Sequence, residues 1–196
     1  MSIRDPRRGT AIGILALGVL LAGGIWVGAT YNQLVQARFA VDTQWAQVEV
    51  QYQRRVDLVP ALVAALRGYL IQERSVLDAV ARAREEYLAT SPGSPDRVRA
   101  AEALQQPLGR LVAVVEASPT LRSNETVAGL MDELAGTENR IAVERRRYND
   151  RALAYDTLVL SVPSSIIATA AGFRPRPYFQ AQPGAASPPA VALPSR

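Results

Sequence analysis

One uncharged stretch constrains the fold of this chain more than any other feature. No charged residue lies between Gly9 and Ala37, and the segment from Thr10 to Thr30 is almost wholly apolar. About 20 such residues, rising ~1.5 Å each in a helix, cross the hydrocarbon core of a bilayer. The segment is too long for the apolar region of a cleaved signal peptide, which is the alternative, and it has no clean small-residue cleavage site. We interpret residues 10–30 as a transmembrane signal anchor.

The flanking arginines predict how the anchor is oriented. Arg4, Arg7 and Arg8 form a short basic tail over residues 1–9, whereas Arg38 is the first charge after the span. The positive-inside bias therefore places the N-terminus in the cytoplasm. Abundant arginine and alanine favour a bacterial source, so the expected location is the bacterial inner membrane, with the body of the chain on the periplasmic side.

The composition argues against several classes of function. The chain has no cysteine and no histidine, which removes disulfides, thiol chemistry and the commonest metal ligands. All 22 basic residues are arginine, so no lysine is available for Schiff-base chemistry. Acidic residues are interspersed with the arginines, and no nucleic-acid-binding motif is present. We expect no enzymatic activity, no cofactor, no metal and no nucleic-acid partner.

Beyond the span, apolar residues recur at alternating spacings of three and four, which is typical of helices, and no segment alternates with period two. The prediction is an all-α fold, with an antiparallel up-and-down four-helix bundle over residues 31–163. The four apolar stripes run from Leu34 to Val59, from Leu62 to Tyr87, from Val98 to Val115 and from Val127 to Val159. Ser94 followed by Pro95 and Asp96 is typical of a helix start, and Pro107 is predicted to kink the third helix.

The first helical hairpin is predicted to turn near Asp57 and Pro60. Asp57 is suited to cap the second helix and Pro60 to lie in its first turn. Arg54 and Arg55 are then placed to bind the last carbonyls of the first helix and to pair with Asp57. The alternative is one kinked continuous helix, which would leave a very long apolar stripe without a partner.

Among the charged residues on the apolar stripes are Arg38, Glu73 and Glu138. In an up-and-down bundle they fall within about one and a half turns of the same height. We predict a buried ionic layer that fixes helix register, since buried charges are nearly always paired. A two-carboxylate metal site is the alternative, but the Glu-x-x-His motif of such bundles is missing.

The membrane end of the predicted bundle is rich in arginine and aromatic residues. Candidates for lipid contact are Arg145, Arg146, Arg147, Arg151, Arg174, Arg176, Tyr178 and Phe179. Such residues either bind anionic headgroups or, for the helical arginines, form pairs with neighbours such as Glu144, and both readings stay open. Residues 164–179 are predicted to be an apolar and aromatic membrane-proximal segment, and residues 180–196, rich in Pro, Ala and Ser, to be disordered.

Three blocks of sequence together resemble the LemA family of bacterial membrane-anchored proteins. They are YNQLVQARFAVDTQWAQVEVQYQRRVDLVPALVAALRGY after the span, TENRIAVERRRYND on the fourth helix and GFRPRPYF at residues 172–179. The resemblance implies a helical bundle of the bromodomain-like four-helix type on one membrane helix, with no known catalytic activity. The chain departs from the family pattern in three places. A usual His-Glu on the second helix is Gln72 and Glu73, a usual Asn-Phe before the fourth helix is Glu125 and Thr126, and a usual asparagine after a tyrosine is Asp156.

The resemblance and the residues together suggest a scaffold or adaptor for membrane or envelope proteins. A membrane protease is among the partners that the family implies, and a homo-oligomer is a further expectation. The alternative is a lipid-organising protein that oligomerises on the membrane through the arginine cluster.

Overall fold

The computed structural model describes residues 6–70 and 73–180, with side-chain surroundings given from residue 13 onward. The described residues form helices and no strand, which confirms the all-α prediction. The helices are α1 (Pro6–Leu66), α2 (Arg74–Ala89), α3 (Pro95–Ala103), α4 (Gln105–Ala117), α5 (Pro119–Arg122), α6 (Glu125–Leu160) and α7 (Ser164–Ala170). Most of the predicted basic tail (1–5) and nearly all of the predicted disordered tail (181–196) lie outside the described residues.

Helix α1 passes without a break from the apolar N-terminal segment into the body of the protein. Every side chain from Gly13 to Ala29 is exposed, and burial begins at Thr30 and Leu34. In the described part of the chain, α1 alone is long and apolar enough as a single helix to cross a membrane. An exposed apolar surface of this length is stable in lipid and not in water, so α1 is a candidate membrane span and indicates a membrane location.

The predicted hairpin corner at Asp57 and Pro60 is wrong, because α1 continues through Pro60 to Leu66. Asp57 does not cap a helix; it accepts a hydrogen bond from Gln53 one turn earlier, at 2.7 Å. The buried stripe explains the continuation. Val56, Val59, Leu62 and Leu66 are all at most 1% exposed, and their burial outweighs the one backbone hydrogen bond that a proline removes. Helix α1 ends only at Leu66, and α2 begins at Arg74.

Helix α6 runs antiparallel to α1 and forms the main seam of the fold. Gln44 donates to Glu144 at 2.5 Å, and Arg54 donates to Glu133 at 3.1 Å. Since the first partner number rises as the second falls, these contacts set an antiparallel register. The buried stripe of α6 consists of Val127, Leu134, Thr137, Ile141, Tyr148, Ala152, Tyr155, Asp156 and Val159.

Helices α2, α3 and α4 complete the core beside the upper half of α1, which is the half farther from the apolar N-terminal segment. The turn between α2 and α3 is fixed to α1, because the Gly93 N–H donates to Glu49 at 2.9 Å and Gly93 has a φ of +77° that favours glycine. The predicted start at Ser94 is confirmed, since its side chain accepts from the Arg97 N–H. The third predicted helix divides at Leu104 into α3 and α4.

At the opposite end of the seam, the chain bends sharply from α6 into α7. The angle between the two helices is 93°, so α7 lies across the end of the α1 and α6 pair. Gly172, with a φ of +76°, ends α7 in the left-handed conformation common after helices. The Phe173 N–H then bonds the Ala168 carbonyl at 2.9 Å, and the chain turns back along the seam.

Replacing Pro60 by Ala is expected to raise the free energy of unfolding by about 1–2 kcal/mol. Pro60 is exposed inside α1, so alanine restores a backbone donor without disturbing the core. Thermal unfolding followed by circular dichroism in detergent micelles measures the change. Ala61→Gly, at the exposed neighbouring position, should shift stability in the opposite direction by about 1 kcal/mol. A fall in stability for Pro60→Ala would show that residues 57–60 do not propagate the helix.

Candidate functional site

After α7, residues 173–180, here called the C-terminal strap, run back along the seam between α1 and α6. The Phe173 ring meets Tyr31 with centroids 5.8 Å apart. Higher up, Arg176 Nη2 lies 2.6 Å from Asp42 Oδ1, and Phe179 then reaches the level of Trp45. The strap therefore climbs away from the membrane end, whereas the sequence prediction kept the whole segment beside the membrane.

An aromatic cluster fixes the upper end of the strap. Phe179 stacks on Trp45 at 5.5 Å and meets Tyr148 edge-on at 5.2 Å, while Trp45 and Tyr148 are 5.4 Å apart. The Arg145 guanidinium lies 4.6 Å from the Phe179 ring centroid, in cation–π contact. Phe179 is thus half-buried against the protein itself.

Polar side chains of α6 hold the backbone of the strap. The buried Asp156 carboxylate accepts hydrogen bonds from the Arg176 N–H and the Tyr178 hydroxyl, both at 2.9 Å. Asn149 binds both the N–H and the carbonyl of Phe179, at 2.9 and 2.8 Å. The sequence prediction missed Asp156 and Asn149. A detectable signal was that Asp156 follows Tyr155 on the buried face of a helix, where an unpaired carboxylate would be costly.

These contacts divide the predicted lipid-contact residues into two groups. Arg145, Arg176, Tyr178 and Phe179 bind within the fold, with Arg145 also paired to Glu102 at 3.1 Å. The exposed group consists of Arg146, Arg147, Arg151 and Arg174, of which Arg147 pairs with Glu144 at 2.7 Å. The intrahelical-pair reading is thus correct for Arg147, and the exposed arginines lie along α6 and at the lower end of the strap.

The structure does not bring Arg38, Glu73 and Glu138 together in a layer. Arg38 is exposed and pairs with Asp42 on its own helix at 3.8 Å. Glu73 precedes the first turn of α2 at the far end, and Glu138 is opposite Arg55, about 25 Å along α1 from Arg38. The prediction assumed a corner at Asp57, and the continuation of α1 to Leu66 displaces Glu73 along the bundle.

Arg55 is the buried charge in the middle of the seam. Its Nε donates to Thr137 Oγ1 at 3.3 Å, and its guanidinium lies 3.9 Å from the Glu138 carboxylate. Only 5% of the Arg55 side chain is exposed, against 61% for Glu138. Burial lowers the pKa of Arg55, and Glu138 opposes that shift. The ion pair of Arg55 and Glu138 therefore joins one buried charge to one solvated charge.

Next to Arg55, the hydroxyl of Tyr52 is buried without a hydrogen-bond partner in the described protein. Burial raises the pKa of Tyr52 to about 12, with Arg145 pulling the other way. The two residues border a polar groove of about 550 Å³ that ends at Phe179 and Gln180. Arg55 and Glu138 separate this groove from a second one at the far end of the bundle.

The far-end groove lies between α4, α5 and α6 and has a volume of about 510 Å³. Its walls are mainly apolar, and its charged residues include Glu116, Arg122 and Asp132. The apolar lining consists of Leu108, Val112, Val115, Leu121, Val127, Ala128, Met131, Leu134 and Ala135. Such a surface buries apolar side chains of a partner. Within residues 13–70 and 73–180, no three His, Cys, Asp or Glu side chains are grouped to hold a metal ion.

Comparison with known proteins identifies the family of this chain. The LemA family model matches residues 44–193. The chain belongs to the LemA family. Magnetosome protein MamQ 2 of Paramagnetospirillum magneticum is 27% identical over 183 residues, covering 81% of this LemA-family chain and 67% of the relative. Magnetosome protein MamQ of Magnetospirillum gryphiswaldense is 26% identical over 183 residues, which again cover 81% of this chain and 67% of the relative.

The burial difference between two arginines of α1 predicts opposite sensitivities to truncation. Arg55→Ala should lower the free energy of unfolding by about 2–4 kcal/mol, because a buried side chain and its bond to Thr137 are lost. Arg38→Ala, the matched control, should change it by at most ~0.5 kcal/mol, because its pair with Asp42 is exposed. Chemical unfolding of each variant in micelles gives both values. Equal losses would contradict this assignment of the buried charge.

Tyr52 predicts a specific sensitivity to alkaline pH. Because its folded pKa is raised from 10.0 to about 12, ionisation of Tyr52 has no effect on stability below pH 10. As the pH rises from 10 to 12 the unfolded chain ionises first, and the free energy of unfolding falls by roughly 2–3 kcal/mol. Tyr52→Phe should therefore lose less stability over that interval, and at neutral pH it should be at least as stable as wild type. Melting curves across the pH range measure this. Tyr69→Phe, at an exposed tyrosine, should follow wild type; if Tyr52→Phe does so too, the phenol is not buried as described.

Proposed function

We propose that this LemA-family protein is a non-enzymatic, membrane-anchored adaptor whose helical body docks other membrane or envelope proteins. The far-end groove between α4 and α6 is the observation that carries the proposal. Partly buried Val112 and Met131 pack against the core from its walls, so an incoming apolar side chain would extend an existing hydrophobic cluster.

The height of the groove above the membrane supports a role in docking. Arg55, at the membrane-proximal edge of the groove, is 25 residues beyond Thr30 on α1, which corresponds to ~38 Å of helix. Because α1 is continuous, it ties this height directly to the membrane span. We infer a four-helix bundle in which α3 and α4 together make one arm, beside α1, α2 and α6.

The shape and charge of the groove favour an amphipathic helix as the docked element. Apolar side chains spaced along one face of a helix fit a groove of this kind. The mixed charges of Glu116, Arg122 and Asp132 at the groove would select partners by complementary charge. Flanking arginines favour the periplasmic side of an inner membrane, so envelope proteins, including a membrane protease, are the expected partners. Relatives named for the magnetosome, and not for a reaction, support a non-catalytic role.

A second candidate function is lipid organisation on the membrane surface. It retains support from Arg146, Arg147, Arg151 and Arg174, whose side chains are exposed. Homo-oligomers formed through these residues would need no protein partner at the groove. A search for groove-specific contacts therefore separates the two candidates.

A photo-crosslinking residue placed at Met131 in the full chain should capture a discrete membrane or envelope protein in living cells. The captured band should disappear when Val112→Glu is added, because a charge in the apolar wall opposes docking. The measurement is the set of covalent adducts recovered after mild detergent extraction.

Val143→Glu is the matched control, since it makes the same substitution at an exposed α6 position outside the groove lining, and it should leave the adduct intact. Adducts with cytoplasmic proteins would contradict the periplasmic orientation, and an adduct of twice the chain mass would indicate a homo-oligomer. Recovery of the uncrosslinked chain alone, from a folded protein, would contradict the adaptor proposal.

A further inference from the structure

Two stretches of the chain that are almost without charge meet at the membrane end of the seam. One is the α1 segment up to Ala37, and the other runs from Ala152 to Phe173, where the buried Asp156 is the single charged residue. The second stretch includes the end of α6, the sharp bend and α7. The two helices together are as apolar as a membrane span but are bent by 93°, so they suit a surface better than a crossing.

The register of the seam places this bend at the upper limit of the span. Gln44 binds Glu144 across the seam. Sixteen residues from this contact toward the membrane end, Gly28 of α1 is level with Leu160 of α6. The predicted span from Thr10 to Thr30 has ~31 Å of helix, which matches the hydrocarbon thickness. The bend therefore lies where the hydrocarbon core gives way to the headgroups.

The side chains at the bend are large, apolar and unprotected. Leu160 at the end of α6 is 66% exposed, Val162 in the bend 81% and Ile166 on α7 68%. On the other face of α7, Ile167 and Ala168 pack against the core. We call Leu160, Val162 and Ile166 the apolar foot. In water such a cluster is unfavourable, yet it is continuous with the exposed apolar surface of the span.

Arginines mark the boundary above the apolar foot. Arg38 is ten residues beyond Gly28, which is level with Leu160, and Arg151 is nine residues before Leu160 on α6, so the two arginines are about 13–15 Å above the level of Leu160. Both are exposed, as is Arg174 at the start of the strap. Arginines at this height reach the phosphate region when the apolar foot is in the outermost hydrocarbon, as they do at membrane interfaces.

We propose that the apolar foot inserts into the same bilayer that α1 crosses, at the boundary of the acyl chains and headgroups, as a second membrane attachment. A lipid surface fits this site better than a second copy of the chain, because the foot is continuous with the span and lies beneath a belt of arginines. Attachment at two points prevents the body from tilting freely about α1. It would thereby fix the direction in which the far-end groove faces.

The absence of native cysteine allows a direct test on the full chain in vesicles of phosphatidylcholine and phosphatidylglycerol. Val162→Cys and Ile166→Cys are each labelled with an environment-sensitive fluorophore and exposed to aqueous iodide or to lipids with a nitroxide on the acyl chain. Both labels should be quenched by the nitroxide lipid and several-fold less by iodide. Leu17→Cys in the span is the lipid reference, and Val143→Cys on exposed α6 is the aqueous reference.

Causation is tested by adding Ile166→Glu to the Val162→Cys protein. The label should then become accessible to iodide, whereas Val143→Glu should leave it unchanged, with circular dichroism confirming that both variants fold. Iodide quenching of Val162 and Ile166 equal to that of Val143 would overturn the proposal. Shielding from both quenchers would also overturn it, since protein and not lipid would then cover the foot. The groove crosslinks from Met131 are measured far from this site, so either result stands without the other.

Discussion

The packing of α6 against a single continuous α1 is the interaction on which the rest of the structure depends. Because α1 runs from the membrane segment to Leu66, each contact along the seam has a defined height above the bilayer. Gln44 with Glu144 and Arg54 with Glu133 hold the register, and the buried apolar stripes supply most of the stability. The bend into α7, the strap and both grooves are positioned by that register.

Helical periodicity was sufficient to predict the fold class and most of the core, but not the site of the first turn. Val59, Leu62 and Leu66 continue the three-and-four spacing without interruption, so the pattern itself indicated one helix. The prediction instead placed a turn there because of Asp57 and Pro60. A helix interior tolerates an exposed proline when the apolar residues before and after it are well buried. The displaced turn then carried Glu73 away from its predicted neighbours.

The contacts of the site were harder to predict because they join residues distant in sequence. A stripe position does not reveal whether an arginine is buried: Arg38 and Arg55 share one stripe, yet only Arg55 faces the centre of the seam. The strap was missed for a related reason, since its partners lie 20 to 30 residues away on α6. Asp156 fits its role there chemically, because a carboxylate only accepts hydrogen bonds and both groups that it meets are donors.

The distribution of charge along the seam separates what each end of the molecule can bind. Between the N-terminal tail and the level of Arg38 and Arg151 the surface is largely apolar, with exposed Arg174 and buried Asp156 as its charged residues, which suits a lipid surface. In the middle, Arg145 is already engaged by Glu102 and by the Phe179 ring, so binding a phosphate there would first require breaking those contacts. At the far end, the groove has apolar walls and charges of both signs, which suit the apolar and charged side chains of an amphipathic partner helix. On these grounds we propose that the bend and the exposed arginines recognise lipid, and that the opposite end of the same helices recognises protein.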